Sequence, residues 1–466
     1  MLAALFQPKS VAVVGASNDP MKIGNAILRN LIASGYGGKI FPVNPNLKEV
    51  EGIESFPSVS SLSETPDLVV IAISAARSLE VLRECVNRNV PYVILIPGGF
   101  SETGEEGRKL EHDIQHEIMN SNTRVIGPNT VGIFLPYSKL NTALTPPDRI
   151  NFPPAGSIGL ITQSGALGLM MLDEAAESGT GLSFFVNLGN RSDLDENELL
   201  EYAMSDGRTA GIGIYLESIP NGRSFLDSIR RISKVKPVVI LKAGRTKKSS
   251  AAAVLHTGAM ASDDRIVNGL IAQAGAVRAY NETELMDFIR VLVYSKRAPG
   301  NRVAVVTTAG GPGVIASDYI TSEREGVSMQ LAGLEDSTKD RLRDIVASFG
   351  SVENPIDLTA DGSDDQFCEV LDILQSDRMV DLIIGFPLPQ TPKMSTEIAE
   401  KIKRVTDRGQ KPIVIGVLGS KLARPLVAEF EKRKIPAYPS VYRVVRAAKA
   451  LYLYSSHQLG GEAIGL

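Results

Sequence analysis

Short apolar runs alternate with longer amphipathic ones along almost the whole chain. "SVAVVGAS", "KIFPVNP", "DLVVIAIS", "YVILIPGG" and "RVIGPN" are nearly continuous in hydrophobicity, and each is broken by Gly, Pro or Asn. Such runs predict buried strands. Between them, "KIGNAILRNLIAS", "ARSLEVLRECVNRN" and "GEEGRKLEHDIQHEIMN" carry helical spacing. The alternation predicts an α/β protein of parallel sheets, right-handed crossovers and helices on both faces.

A Pro-rich connection, "LTPPDRINFPPAG", closes the first unit and sets a Rossmann-like domain at residues 1–145. A second unit, 146–298, opens with "SIGLITQSGALGLMMLDEAAESG": strand, polar turn, helix. A third, 299–466, opens after "SKRAPGN" with "RVAVVTTAGGPGVIASDYI" and repeats the design. Both later units read as flavodoxin-like.

Composition narrows the class of protein. With 466 residues the chain is too long for one hydrophobic core. A net charge of -4 suggests no nucleic-acid-binding face. The two cysteines, Cys85 and Cys368, make no disulfide framework or zinc cluster, so no metal site is expected and a reducing compartment fits. "MLAALFQPKS" lacks a charged region and a cleavage pattern, and no apolar run reaches the roughly 18–20 residues of a bilayer span. The expectation is a cytoplasmic protein with no membrane partner.

Candidate chemistry sits where strands turn into helices. In "VVGASNDPMKIGN" Gly15 ends a strand and a helix follows, the usual cradle for a phosphate; the plainer reading is that Gly15 allows a tight turn. Ser17 and Pro20 occupy the later positions of the dinucleotide fingerprint G-x-G-x-x-G, and "PVNPN" offers no acidic residue for a ribose. A nucleotide-bearing ligand other than NAD is implied. "ITQSGALG" puts Gln163, Ser164 and Gly165 at a second helix mouth, and "TTAGGPGV" puts Gly310 and Gly311 at a third.

Only four histidines occur, and His256 alone stands in a run of small residues, "SSAAAVLHTGAMA", followed by Gly258. Two helix N-termini aimed at one point would stabilise a phosphate carried by that histidine. Its other ring nitrogen would need a carboxylate, and "IYLESI" supplies Glu217 at a strand end. His112 and His116 lie one turn apart among acidic residues and read as a solvated helix face. "AGRTKKSS" lacks the Walker A spacing, as does every other segment.

Taken in order, "VVGASNDPMKIGN", "PVNPN", "IPGGFSE", "GPNTVG", "ITQSGALG", "LGNRSDLDENELLEY", "YLESI" and "KAGRTKKSSAAAVLHTGAMA" resemble the NDP-forming acyl-CoA synthetases, the superfamily of succinyl-CoA synthetase. With "AGGPGV" and "ENPIDL" the resemblance is closest to archaeal α subunits of the ADP-forming acetyl-CoA type. It implies a ligase that converts acyl-CoA (acetyl-CoA), phosphate and ADP to acid, CoA and ATP reversibly, through an acyl phosphate and a phosphohistidine. His256 would then accept the phosphoryl group and Glu217 would orient it. Gln163, Ser164, Gly165 and Gly258, with Gly310 and Gly311, would hold phosphate. Gly15, Ser17, Asn18, Lys22, Asn44, Pro45, Ser74, Gly98, Gly99 and Asn129 would line the coenzyme A site. Where the family often has Cys, this chain has Thr130. No segment reads as a nucleotide site, so the resemblance implies a separate ATP-grasp β subunit holding ADP or ATP with Mg2+, in an α2β2 heterotetramer. The alternatives are a CoA-binding regulatory protein, or a protein acetyltransferase-related subunit without synthetase activity.

Overall fold

The computed structural model describes residues 2–246, 248–249, 263–323 and 327–458. It comprises two compact units, one formed by Met1–Glu177 with Gly181–Leu270 and the other by Ser178–Thr180 with Ile271–Leu466. The architecture is α/β, as the alternating pattern predicts.

The first unit contains two sheets. In the first, β1 (Ser10–Val14), β2 (Lys39–Val43), β3 (Leu68–Ile71), β4 (Tyr92–Leu95) and β5 (Arg124–Ile126) are all parallel, in the order β2-β1-β3-β4-β5. Every residue of β1, β3 and β4 is buried, which is why these strands read as unbroken apolar runs. The order reverses beside β1, and a doubly wound sheet opens its ligand crevice at the carboxyl ends of such strands. Helices α1 (Ile23–Ala33), α2 (Ala75–Asn87) and α3 (Glu105–Met119) follow β1, β3 and β4. His112 and His116 are exposed on α3, matching the solvated face expected of them.

The second sheet joins β6 (Ile133–Leu135), β7 (Leu140–Asn141), β8 (Ala155–Thr162), β9 (Leu182–Asn187), β10 (Gly211–Leu216) and β11 (Val238–Lys242). Their order within this unit is β11-β10-β8-β9-β6-β7. Strands β8 to β11 pair in parallel, while β6 lies antiparallel to β9, with Phe134 opposite Phe185. Residues 133–141, which the sequence pattern groups with the first sheet, therefore extend the second one. Helix α4 (Gly165–Ser178) follows β8.

The second unit carries a third parallel sheet of β12 (Arg302–Thr307), β13 (Gln330–Leu331), β14 (Ile356–Asp357), β15 (Leu382–Phe386), β16 (Ile413–Gly416) and β17 (Ala437–Tyr438). Its order is β13-β12-β15-β16-β17, with β14 on β12. Helices α5 (Glu282–Tyr294), α6 (Gly310–Thr321) and α7 (Val441–Gln458) belong to this unit. Arg290 meets Glu431 at 2.6 Å, Arg443 meets Asp287 at 2.7 Å and Arg446 meets Glu284 at 2.9 Å. Burial holds the Asp287 carboxyl above its ordinary range, with Arg443 and Arg290 pulling the other way. Removing one partner of such a buried pair typically costs about 3–5 kcal/mol, because the other charge stays in the core.

Candidate active site

A cavity of about 480 Å³ opens in the first unit where the strands of both its sheets end. Gly98 and Asn129 reach it from the first sheet. Gln163, Ser164 and Gly165 follow β8, Asn190 and Arg191 follow β9, and Glu217 and Ser218 follow β10. Carboxyl ends of parallel strands are where such folds place their chemistry.

Gln163 is almost fully buried, and its side-chain oxygen accepts from the backbone N–H groups of Glu217 and Ser218, the latter at 3.0 Å. Two donors facing one atom fix the amide's orientation. The Nε2 donors are thereby left with no hydrogen bond among the described residues, in a side chain that lines the cavity. Gly165 stands close against Val131, whose Cγ1 lies 2.5 Å from where a Cβ would be. The Tyr215 hydroxyl donates to Glu217 Oε1 at 3.2 Å, and burial, helped by that carboxylate, pushes the phenol's pKa upward.

Several residues to which sequence reasoning gives no individual role build this site, although "FFVNLGNRSD" is expected to border the acyl pocket. Asn187 is fully buried: its Nδ2 donates to Thr162 O and Gln163 O, and its Oδ1 accepts from Val131 N at 2.8 Å. It ties β8 and β9 to the segment that follows β5. Thr130 donates to Asn187 O at 2.6 Å and accepts from Gly132 N. Asn190 Nδ2 lies within hydrogen-bond distance of Glu102 Oε2 (2.8 Å) and Glu111 Oε2 (2.9 Å), and Asn129 donates to its oxygen. Their sequence signal was membership of the motifs "GPNTVG" and "LGNRSDLDENELLEY" and of "FFVNLGNRSD", which singled out no individual side chain.

A second cavity, about 330 Å³, is lined by Gly15, Asn44, Pro45 and Arg77. Gly15 has φ +87°, and a Cβ there would sit 2.6 Å from Ala72 O, so the turn requires glycine. Gly24 of α1 lies closer still: its Cβ would come within 2.0 Å of Gly15 O. Asn44 clips the loop, donating to Ala16 O and accepting from Asn46 N. Arg77, in the first turn of α2, supplies a cation that sequence reasoning did not single out.

The other predicted coenzyme residues line neither cavity. Ser17 Oγ accepts from Asp19 N, and Asn18 donates to Glu49 O and accepts from Glu51 N. Both side chains shape the turn around Gly15. Lys22 precedes α1 and Ser74 precedes α2, neither making a side-chain cap hydrogen bond. Gly99, at φ +106°, donates to Glu102 Oε1 at 2.6 Å. In the second unit Gly310 and Gly311 begin α6, whose preceding residue Ala309 makes no side-chain cap. His256 and Gly258 lie outside the described residues. Among the described residues no group of three or more His, Cys, Asp or Glu is placed to hold a metal ion, and no helix is long and apolar enough to cross a membrane.

Three family descriptions match in succession: a CoA binding domain over residues 9–136, a succinyl-CoA ligase-like flavodoxin domain over 155–292 and a ligase-CoA domain over 303–458. The α subunit of ADP-forming acetate–CoA ligase I of Pyrococcus furiosus is 36% identical over 469 residues, covering 97% of this chain and 98% of that one. The chain belongs to the α subunits of the ADP-forming acetate–CoA ligases. The α subunit of ligase II from the same organism is 34% identical, with 99% of each chain covered. Among solved structures, acetyl-coenzyme A synthetase 1 of Ca. Korarchaeum cryptofilum, in complex with phosphate and ADP, superposes with a TM-score of 0.89 at 32% identity, covering 99% of this chain and 98% of that one. This is a ligase family, and these two α subunits match nearly the full length of this chain.

Proposed function

We propose that this chain handles the acyl-CoA half of a reversible ADP-forming synthetase reaction, with acetyl-CoA as its reference substrate. An oxygen of inorganic phosphate attacks the thioester carbonyl; the C–S bond breaks, and CoA leaves as a thiolate that takes up a proton. A ring nitrogen of His256 then attacks phosphorus in the acyl phosphate. The P–O bond to the acyl group breaks and the acid departs as a carboxylate. The phosphoryl group finally passes to ADP.

The observation that carries this reading is the 480 Å³ cavity, which gathers Gln163, Ser164, Gly165 and Glu217 beside Gly98 and Asn129. Gln163 Nε2 and the start of α4 would cradle phosphate. Glu217 would hold one ring nitrogen of His256 so that the other is a better nucleophile. Gly258 would give the loop room, and Gly310 and Gly311 would offer a second helix start. Coenzyme A would enter past Gly15, Asn44 and Pro45, over a turn shaped by Ser17, Asn18 and Lys22, with Ser74 and Gly99 flanking it. ADP and its Mg2+ would sit on an ATP-grasp β subunit in an α2β2 assembly in the cytoplasm. The α-subunit names of relatives that match end to end support a partner.

The test is phosphorylation of the purified chain. Incubation with labelled phosphate and acetyl-CoA should leave acid-labile, base-stable label on it, without ATP formation from ADP until a β subunit is added. Label that persists in His256→Ala would overturn the assignment.

A further inference from the structure

Arg191 has no role in the chemistry above, yet among the described residues it is the one Lys or Arg that lines the cavity. Its side chain is 7% exposed, and its counter-ion Glu196 is 3% exposed at 2.9 Å. It stands at φ +61°, a backbone conformation unusual for a side chain of this size. The loop that delivers it is fastened to the end of the first sheet: Asn190 N donates to Pro128 O, Ser192 N to Gly127 O and Leu194 N to Val125 O. Gly189 makes that approach possible, since a Cβ there would lie 2.2 Å from Pro128 O.

From this fixed base the guanidinium grips the segment that carries Glu217. Nη1 donates to Ser218 O at 3.2 Å and Nη2 to Ser218 Oγ at 2.6 Å. Gln163 holds the same segment by its N–H groups. The peptide of Glu217 and Ser218 is thus held at its donors by one side chain and at its acceptors by another. Glu196 takes the remaining Nη1 geometry and cancels the buried charge. A planar fork can make these contacts together, whereas an ammonium can make only one or two in useful directions.

We infer that Arg191 is a positioning residue: it fixes the Glu217 carboxylate for its work on the phosphoryl-carrying histidine, working through Ser218 with Gln163 as the opposing clamp. The inference rests on the reading of Glu217 given above. It goes beyond that reading by naming what holds the carboxylate.

The test is a double-mutant cycle on single-turnover phosphorylation of the full chain by acetyl-CoA and labelled phosphate. Arg191→Gln should slow phosphorylation by about 10- to 100-fold, by analogy with the loss when partners that orient metal-bound side chains are removed. The concentration of acetyl-CoA giving half the maximal rate should stay within about threefold, and Arg191→Lys should recover part of the rate. In Glu217→Gln, adding Arg191→Gln should slow the reaction little further, because the two act as one device. Multiplicative losses would overturn the positioning role while leaving Glu217 in place. A Glu217→Gln variant as fast as the unmodified chain would remove the reading of Glu217 itself, and this inference with it. Should Arg191→Gln fail to fold, Ser218→Ala deletes one of the two contacts and should show the same non-additivity with Glu217→Gln.

Discussion

After β8 the chain turns into α4, and after β12 it turns into α6. Gln163 N donates to Tyr215 O of the neighbouring strand β10, and Thr308 N donates to Phe386 O of the neighbouring strand β15. The pairing is equivalent, with Thr162 opposite Tyr215 and Thr307 opposite Phe386. In each turn the same position then grips the loop beyond the neighbour. Gln163 Oε1 takes Glu217 N, and Thr308 Oγ1 takes Leu388 N at 3.1 Å. Two residues beyond Tyr215 stands Glu217; two residues beyond Phe386 stands Leu388. The electrostatics differ too. The Asp357 carboxylate lies 3.2 Å from where a Cβ on Gly310 would be, while Gln163 leaves neutral donors at the first turn. One backbone design therefore occurs twice, and only one copy carries a carboxylate on the residue whose N–H the turn grips. A helix start attracts anions in both, but what surrounds it decides whether chemistry follows.

The largest effect should come from exchanging the differing residue. Glu217→Gln keeps size and removes charge, and phosphorylation of the chain should slow by roughly 10²-fold or more. Leu388→Gln, the matching change in the other turn, should leave that rate untouched; a comparable loss there would break the comparison. Next comes the grip itself. Gln163→Ala leaves two N–H groups without their acceptor and should slow phosphorylation by about 10- to 100-fold. Thr308→Ala should instead cost about 1 kcal/mol of stability, read by denaturant unfolding, with the phosphorylation rate unchanged. Gly15→Ala probes the third turn, where the Cβ would meet Ala72 O and a backbone at φ +87°. Strain of about 1–3 kcal/mol should weaken acetyl-CoA binding about tenfold by calorimetry, without altering maximal phosphorylation. The smallest effect belongs to Asp357→Asn. Removing a charge beside a helix start is worth about 0.3–1 kcal/mol, so half-saturation by phosphate should fall two- to fivefold if α6 contributes anion binding.

The alternation of apolar and amphipathic runs made the parallel sheets legible, because strands covered on both faces must be apolar throughout. Glycines after strands were legible for a similar reason: Gly15 in "VVGAS" stands against the Ala72 backbone and Gly165 in "ITQSG" against the Val131 side chain, and neither leaves room for a Cβ. The clamp around Glu217 was not. Arg191 and Ser218 meet only when β9 and β10 flank β8, and they stand 27 positions apart. Each alone reads as an ordinary loop residue. Strands β6 and β7 escaped for another reason: they are three and two residues long, too short to show an alternation.

The pairing of β6 with β9 bears on how such a protein can be taken apart or recombined. A cut at the Pro-rich connection would carry β6 and β7 away with the coenzyme-binding half and leave β9 as a bare edge, its backbone groups open to any passing strand. Swapping that half for one from another ligase would exchange two strands of the recipient's sheet at the same time. The two halves are thus coupled through a shared sheet, and an exchange that keeps the sheet whole would cut before β6 rather than at the Pro-rich connection.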